Sequence, residues 1–508
     1  MLGKPSHRLQ SGISVRSALL KGALWVSVTK LAVNAIGLLS TIVLARLLLP
    51  EDFGLVAIAS STATIFAAIT ELSLSQALIQ NDDLEDDHFH TAFTLDALRG
   101  VLLAAAMICL SWPLAVGFDE PRLLGLMLAF AGANFIGCFA NPRLALLERQ
   151  LEFKQWVVLS GGEKLAGFIT SACVAFIYET YWALALGAVA SQLMRVASSY
   201  ILISYKPKIT LSKSREIVSF SAWLLFSHIA QSITWRADPL IYAAFMSNKT
   251  IGFFTIGVRI SSLMINEVLA PISHVLFPAF ARMRSEPVRL RAAYLRAQGL
   301  VCLIAMPIGF GLAATAEQLI IIVLGKQWLP AAAVVQILAI GFAIQRTNEL
   351  NAIAMATSNT KALFGRDIRA LGIRIPLVLG GLIYAPQLGM SALFGALAGD
   401  AVSIVTNSIL NMQLVSRVSL VNVRDQLMLI WRPALASVVM AAAVLAIAGL
   451  AQDNGTWVAI VFFLLSVGSG VMVYVSVLAG LWLLAGRPPS AEAELIGLIQ
   501  KRVLKRFA

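Results

Sequence analysis

SITWRADPLIY, residues 232–242, sets an arginine, an aspartate and a proline inside an otherwise apolar run. A guanidinium and a carboxylate in such surroundings have two uses. They neutralise each other or a neighbouring side chain, or they meet a charged solute on its way across a membrane. Arg236 and Asp238 are two residues apart, which points them about 200° away from each other around a helix, so a simple same-face pair is ruled out. Each needs a partner on another segment or in water. Pro239 has no amide hydrogen and clashes with the carbonyl four residues back, that of Trp235. The helix is expected to kink or open there, which makes Pro239 a candidate hinge.

Further charges inside apolar segments are Lys30, Arg259, Glu267, Arg346, Glu349 and Asp400. A charge facing lipid at mid-membrane costs about 2.5–3.5 kcal/mol, so these groups are expected to face a bundle interior or water. With Arg236 and Asp238 they are the candidates for lining a polar translocation cavity. The plainer use, interhelical salt bridges, stands equally at this point. Arg346 and Glu349, three apart, can pair along one helix face. Glu163, Lys164 and Arg374 fall near the expected inner ends of apolar segments and Glu317 near an outer end, where long side chains snorkel to the interface.

Other chemistries lack their residues. There is no GxxxxGK[ST] loop and no HExxH, and His228 and His274 are isolated. Cys109, Cys138, Cys173 and Cys302 fall singly in apolar runs, without CxxC pairing, and read as small apolar fillers. No metal, cofactor or catalytic residue is expected.

The elements that must position these charges are membrane helices. Of 508 residues 58% are hydrophobic and 13% charged, and mean hydropathy is +0.81, whereas a soluble chain carries roughly 25% charged residues. Apolar runs longer than about 18 residues recur from end to end, and the short alternating segments of a barrel are not seen. The fold class expected is an all-α polytopic membrane protein with about fourteen transmembrane helices, the first near 19–44 and the last near 457–485. The basic N-terminus precedes an apolar run too long for a signal peptide and reads as a retained first helix.

Alternate loops differ in charge. One set holds most of the 39 basic residues, and the opposite set holds only Arg46, Arg122, Lys249 and Lys326. The positive-inside rule makes the basic side cytoplasmic, and an even number of spans puts both termini there. The net charge of +12 then faces anionic lipid headgroups, and no nucleic-acid partner is expected. Trp112, Trp182, Trp328, Trp431 and Trp457 lie near span ends, as interfacial anchors do. NDDLEDDHFH, residues 81–90, reads as a solvated acidic linker whose spacing fits no EF-hand loop. LIGLIQKRVLKRFA at the C-terminus suits a helix lying on the inner leaflet.

ARLLLPEDFGLVAIA (45–59) and AAFMSNKTIGFFTIG (243–257) are an internal echo. Each ends one apolar segment, turns through polar residues, reaches a glycine and enters the next. The division that follows is an N-terminal six-helix lobe at 1–208, a second six-helix lobe at 209–427, an additional helix pair at 428–486 and a cytoplasmic tail at 487–508. Repeats of six spans cross in the same sense, so their axis runs along the membrane normal, and transporters of this build bind at the repeat interface.

The stretches ARLLLPEDFGLVAIA, LSLSQALIQNDDLEDDHFHTAFTLDALRG, FSAWLLFSHIAQSITWRADPLIYAAFMSNKTIGFFTIGVRI, LFPAFARMRSEPVRLRAAYLRA and IIIVLGKQWLPAAAVVQILAIG resemble the bacterial polysaccharide exporters of the multidrug/oligosaccharidyl-lipid/polysaccharide superfamily, in particular its WzxC-like lipopolysaccharide and exopolysaccharide branch. The likeness runs from about residue 15 to residue 480. It implies two lobes opening alternately to either side of the bacterial inner membrane. The substrate it implies is an undecaprenyl-diphosphate-linked oligosaccharide, moved from the cytoplasmic to the periplasmic leaflet before polymerisation. Partners would be that lipid-linked oligosaccharide, membrane lipids, and the polymerase and glycosyltransferases of the same pathway. A cationic central cavity accepts such a substrate, which makes Lys30 and Arg236 the first candidates, with Arg346 and Arg259 next. A lipid II flippase and a cation-coupled multidrug exporter of the same superfamily are the alternatives.

Overall fold

The computed structural model describes residues 33–70, 74, 78, 84–150, 153–214, 232–233, 236–348, 350–357, 359–449, 456–487 and 491–493. Regular structure among them is entirely helical. An apolar run in lipid must satisfy its own backbone, and the helix does so within one segment. The elements are α1 (Val33–Leu47), α2 (Pro50–Ile69), α3 (Asp86–Gly117), α4 (Arg122–Gly137), α5 (Leu144–Gln150), α6 (Phe153–Tyr178), α7 (Trp182–Leu202), α8 (Asp238–Ala243) and α9 (Asn248–Arg282). They continue with α10 (Pro287–Ala314), α11 (Ala316–Val323), a 3-10 turn at Lys326–Trp328, α12 (Ala331–Arg346), α13 (Leu350–Ala356), α14 (Thr360–Gln387), α15 (Ala392–Val418), α16 (Val423–Ala448) and α17 (Thr456–Leu484). Among the described residues nine helices are long and apolar enough to cross a membrane, and α1, α4 and α12 are shorter apolar helices. Large apolar side chains such as Leu464, Val471, Met472 and Val475 on α17 are exposed, an arrangement that only a lipid surround tolerates.

Several expected segments are broken. The run 121–147 becomes α4 and α5, divided at Asn141–Pro142, and the run 331–358 becomes α12 and α13, divided at Thr347 and Asn348. The acidic stretch is not simply a solvated linker. Asp86 and Asp87 form the first turn of α3, where carboxylates complement the helix dipole. Asp86 pairs with Arg143 at 2.7 Å and Glu85 with Lys213 at 3.2 Å. The segment 205–213 is strapped across these first turns: Thr210 N–H donates to Thr94 Oγ1, Lys213 N–H to Thr91 Oγ1, and His90 Nδ1 meets Tyr205 Oη at 2.9 Å. At the other terminus Ala491 and Glu492 are buried on the bundle, with Glu492 3.3 Å from Arg432. The expected retained first helix before residue 33 and the amphipathic helix after 493 lie outside the described residues.

Packing follows the internal echo. In the first half α4 packs against α2, α3 and α7, and α6 against α7. In the second α12 packs against α9, α10 and α15, and α14 lies along α15. α16 rests on α10, and α17 on α16. The halves meet where α2 crosses α9. A Cβ on Gly54 would fall 1.7 Å from the Asn248 carbonyl oxygen, and one on Gly252 1.8 Å from that of Pro50. Gly54 and Gly252 are 198 positions apart, as are Pro50 and Asn248, so this contact is reciprocal under the repeat. Only glycine allows two backbones this close. Trp328, expected as an interfacial anchor, is instead fully buried beside the crossing. It stands edge-on to Phe53 at 5.2 Å, and its indole N–H donates to Ala45 O at 2.7 Å.

Candidate functional site

The chain bends at Ala237, and α8 begins at Asp238 with Pro239 in its first turn, where a missing N–H costs nothing. That bend immediately precedes Asp238, whose carboxylate meets another helix. Arg374 Nη2 lies 2.6 Å from Asp238 Oδ2 and 3.0 Å from Asp400 Oδ1, and Arg374 Nε donates to the same Asp400 oxygen at 3.1 Å. Tyr242, one turn beyond Asp238, donates its hydroxyl to Asp400 Oδ2 at 3.2 Å. One guanidinium from α14 thus joins carboxylates from α8 and α15. Arg374 is not a snorkelling residue at a span end; α14 begins at Thr360, which sets Arg374 near mid-helix.

Small residues bring the cluster together. In GALAGD the Gly395-xxx-Gly399 spacing puts two glycines on one face of α15, followed at once by Asp400. A Cβ on Gly395 would lie 2.1 Å from Gly381 O, and one on Gly399 2.6 Å from Leu377 O. Backbone contact between α14 and α15 leaves Asp400 within reach of Arg374, three residues before Leu377. With both carboxylates ionised the cluster carries one uncompensated negative charge. A cavity of about 80 Å³ adjoins it, lined by Asp238, Arg374 and Asp400 together with Gln345, Ser403 and Asn407. That is room for two or three waters, at about 30 Å³ each.

The remaining candidates lie elsewhere. Arg259 is exposed on α9 and its Nη2 reaches Gly37 O of α1 at 3.4 Å, from the second half to the first. Asn266, seven residues on and so on nearly the same helix face, accepts a hydrogen bond from Arg346 Nη2 at 2.6 Å. Arg259 and Arg346 therefore form a cationic stripe along the α9 face that meets α1. Glu267, half-buried, follows Asn266 on α9. Arg236 is exposed just before the bend and makes no ion pair among the described residues. α12 ends at Arg346, and the expected pairing of Arg346 with Glu349 falls on a residue outside the described ones. Lys30 and Glu349 lie outside the described residues. Among the described residues no group of histidine, cysteine, aspartate and glutamate side chains suits a metal ion.

A second polar cluster, not singled out in the sequence, locks the crossing. Arg122 binds Glu51 at 2.6 Å and Glu120 at 2.7 Å, and Asn248 Nδ2 donates to Glu120 Oε2 at 2.8 Å. The start of α2, the α3–α4 turn and the start of α9 are thereby joined. Hydrogen bonds from Arg122 hold the Glu120 carboxyl below its ordinary value of 4.5. A depressed acid contributes stability above its ordinary pKa and loses it as pH falls through the folded value. The crossing is thus expected to hold unchanged at pH values above that ordinary 4.5 and to loosen only as pH falls below it. Spin-label distances between Asp119→Cys and Lys249→Cys read this, and Glu120→Gln is expected to remove the acid step.

The family model described as "Polysaccharide biosynthesis protein" matches residues 43–333. The chain is 25% identical over 318 residues to the succinoglycan biosynthesis transport protein ExoT of Rhizobium meliloti, covering 62% of this chain and 64% of that protein, a little under two thirds of its length. It is 22% identical over 379 residues to the lipopolysaccharide biosynthesis protein WzxC of Escherichia coli, covering 73% of this chain and 76% of that one. The solved structure of the lipid II flippase MurJ in an inward closed conformation superposes with a TM-score of 0.71 at 13% identity, covering 91% of this chain and 100% of that chain. At that identity the likeness is one of fold.

Proposed function

The chain belongs to the polysaccharide biosynthesis protein family, and from that premise we propose that it moves an undecaprenyl-diphosphate-linked oligosaccharide from the cytoplasmic to the periplasmic leaflet of the bacterial inner membrane, for exopolysaccharide or lipopolysaccharide synthesis. Residues 1–208 and 209–427 act as the two lobes, 428–486 as an added helix pair, and both termini are cytoplasmic. The observation that carries the reading is the cationic stripe of Arg259 and Arg346 on the α9 face toward α1. A diphosphate is drawn to these guanidiniums while the sugars occupy water between the lobes and the polyprenyl chain stays in lipid. Arg236 and Lys30 add positive charge to the path, and Pro239 serves as a bending point.

Access changes by rocking. The Gly54–Gly252 crossing and the Arg122 cluster close one end, and their separation opens it. The cluster of Asp238, Arg374 and Asp400 lies within the second half and holds α8, α14 and α15 as one body during the motion.

The test is flipping of a fluorescent lipid-linked oligosaccharide in proteoliposomes. Arg236→Ala and Lys30→Ala are each expected to slow it about tenfold, the loss of one charge-assisted hydrogen bond of about 1.5 kcal/mol. Wild-type rates in both folded variants would remove these residues from the path. Lipid II and a cationic dye, run as competing substrates, separate the two alternatives: preferential movement of either replaces the oligosaccharide reading.

A further inference from the structure

The bundle carries a second positively charged recess, away from the α9 stripe. It is a pocket of about 660 Å³ at the end of the second half where the α9–α10 turn, the α13–α14 link and the α15–α16 link converge. Arg284 of the α9–α10 turn and Arg417 in the last turn of α15 line it, together with Thr357, Asn359, Ser416 and Ser419.

The charge balance around the recess is uneven. Neighbouring arginines at this end are neutralised: Arg289 by Glu286 at 3.3 Å and Arg291 by Asp425 at 2.6 Å. Arg284 and Arg417 have no acidic partner among the described residues, and no carboxylate lines the pocket. Two guanidiniums left facing one recess repel each other and gain from a shared anion, and their planar forks match phosphate oxygens. The polar side chains are fixed in place rather than free on the surface. Thr357 Oγ1 donates to Ile353 O, Ser416 Oγ to Gln413 O and Ser419 Oγ to Val415 O, while Asn359 Nδ2 donates to Thr357 O. Each hydroxyl donates inward to a helix carbonyl; Thr357 Oγ1 also accepts from Asn359 Nδ2 at 3.0 Å, and the oxygen lone pairs that remain are acceptors for ligand hydroxyls.

Size narrows the ligand. The volume falls in the range of small-molecule sites and far exceeds what a bare phosphate fills. We propose that this pocket binds a phosphate group carrying a hydroxylated substituent, a phosphoglycerol or sugar-phosphate head, through Arg284 and Arg417. The hydroxylated part contacts Thr357, Ser416 and Ser419. Two sources supply this chemistry, the headgroup of an anionic phospholipid and a soluble sugar phosphate. The binding stands apart from the transport reading, since neither arginine belongs to the α9 stripe.

The experiment uses the full chain in nanodiscs of zwitterionic phosphatidylcholine, with thermal unfolding and native mass spectrometry as readouts. Two additions are compared: phosphatidylglycerol in the bilayer, and glucose 1-phosphate in solution with glucose as its uncharged control. Either phosphate ligand is expected to bind and to raise the unfolding temperature, and the one that does identifies the source. Arg284→Gln with Arg417→Gln is expected to weaken that binding at least tenfold. Arg289→Gln, whose partner is Glu286, is the control and leaves it unchanged. Retained affinity in the folded double variant, equal loss in the Arg289 control, or no binding of either phosphate ligand overturns the proposal. Oligosaccharide flipping at wild-type rate in the double variant would leave the transport reading intact, so the two fail separately.

Discussion

Gly54→Ala is expected to stop oligosaccharide flipping and to lower the unfolding temperature, although alanine is the better helix former. In an open helical position the exchange favours alanine by up to about 1 kcal/mol. At Gly54 the new methyl carbon would lie 1.7 Å from the Asn248 carbonyl oxygen. Ordinary contact between heavy atoms needs about 3.5 Å or a little more, so the helices must part by roughly 2 Å. The obstacle is backbone, so no rotamer change relieves it. Overpacking of this kind costs about 1–3 kcal/mol, and the upper end applies where neither side yields. Separation also strains the contacts beside it, the edge-on pair of Phe53 with Trp328 and the bridge from Arg122 to Glu51. Gly252→Ala is expected to match Gly54→Ala closely, because its own Cβ meets Pro50 O at 1.8 Å. Gly37→Ala, with nothing within 4 Å, is expected to be neutral or slightly stabilising. The same substitution thus changes sign between crossing and open face. Thermal unfolding in detergent measures the signs, and the flipping assay measures the function. A Gly54→Ala protein with wild-type stability and rate would show that the crossing is not a compulsory contact.

The echo behind this contact was legible, though nothing in it said that the two glycines would touch. The echo of PEDFG with NKTIG named both glycines, and the structure joins them to each other. Repeats related by an axis between them place equivalent residues face to face on it, so self-similarity in sequence becomes contact in space. The apolar runs were legible for a simpler reason, since length and hydropathy are properties of each segment alone. Their ends were not. Asp86 and Asp87 look the same in sequence whether they float in a linker or cap a first turn, and what decides is Arg143, 57 residues away in sequence. Trp328 near a span end reads as an interfacial anchor until Phe53 and Ala45 of the first half cover it. Arg346 ends α12, and its partner Asn266 sits on α9, 80 residues away in sequence, where no local spacing could point to it. Asp238 was correctly expected to need a partner from another segment, but that partner was misjudged. Starting the segment at 368 made Arg374 look terminal, while α14 starts at Thr360. GALAGD, small residues at a spacing of four followed by an acid, was the readable sign that another helix lay against Asp400.

Arg374→Ala is expected to have the larger effect on stability. It leaves Asp238 and Asp400 buried and facing one another, with side-chain exposures of 14% and 5%. Removing one partner from a buried ionic cluster costs about 3–5 kcal/mol, because the surviving charges lose their compensation while staying out of water. A protein stable by about 5–15 kcal/mol does not absorb that without lower yield and a lower unfolding temperature. Arg374→Lys is expected to recover only part of the loss. Its single ammonium lacks the fork by which Nε and Nη2 both reach Asp400 while Nη2 also reaches Asp238. Asp238→Asn with Asp400→Asn in the Arg374→Met background removes all three charges at similar volume, and buried ion clusters replaced in this way often regain stability or exceed it. That triple variant divides the roles of the cluster. If it is folded and flips oligosaccharide at the wild-type rate, the charges serve only to fix α8, α14 and α15 against one another. If it is folded but inactive, the uncompensated negative charge beside the cavity takes part in the cycle, and the acids belong to the transport machinery. An Arg374→Ala protein as stable as wild type would mean that the two carboxylates do not depend on this guanidinium at all.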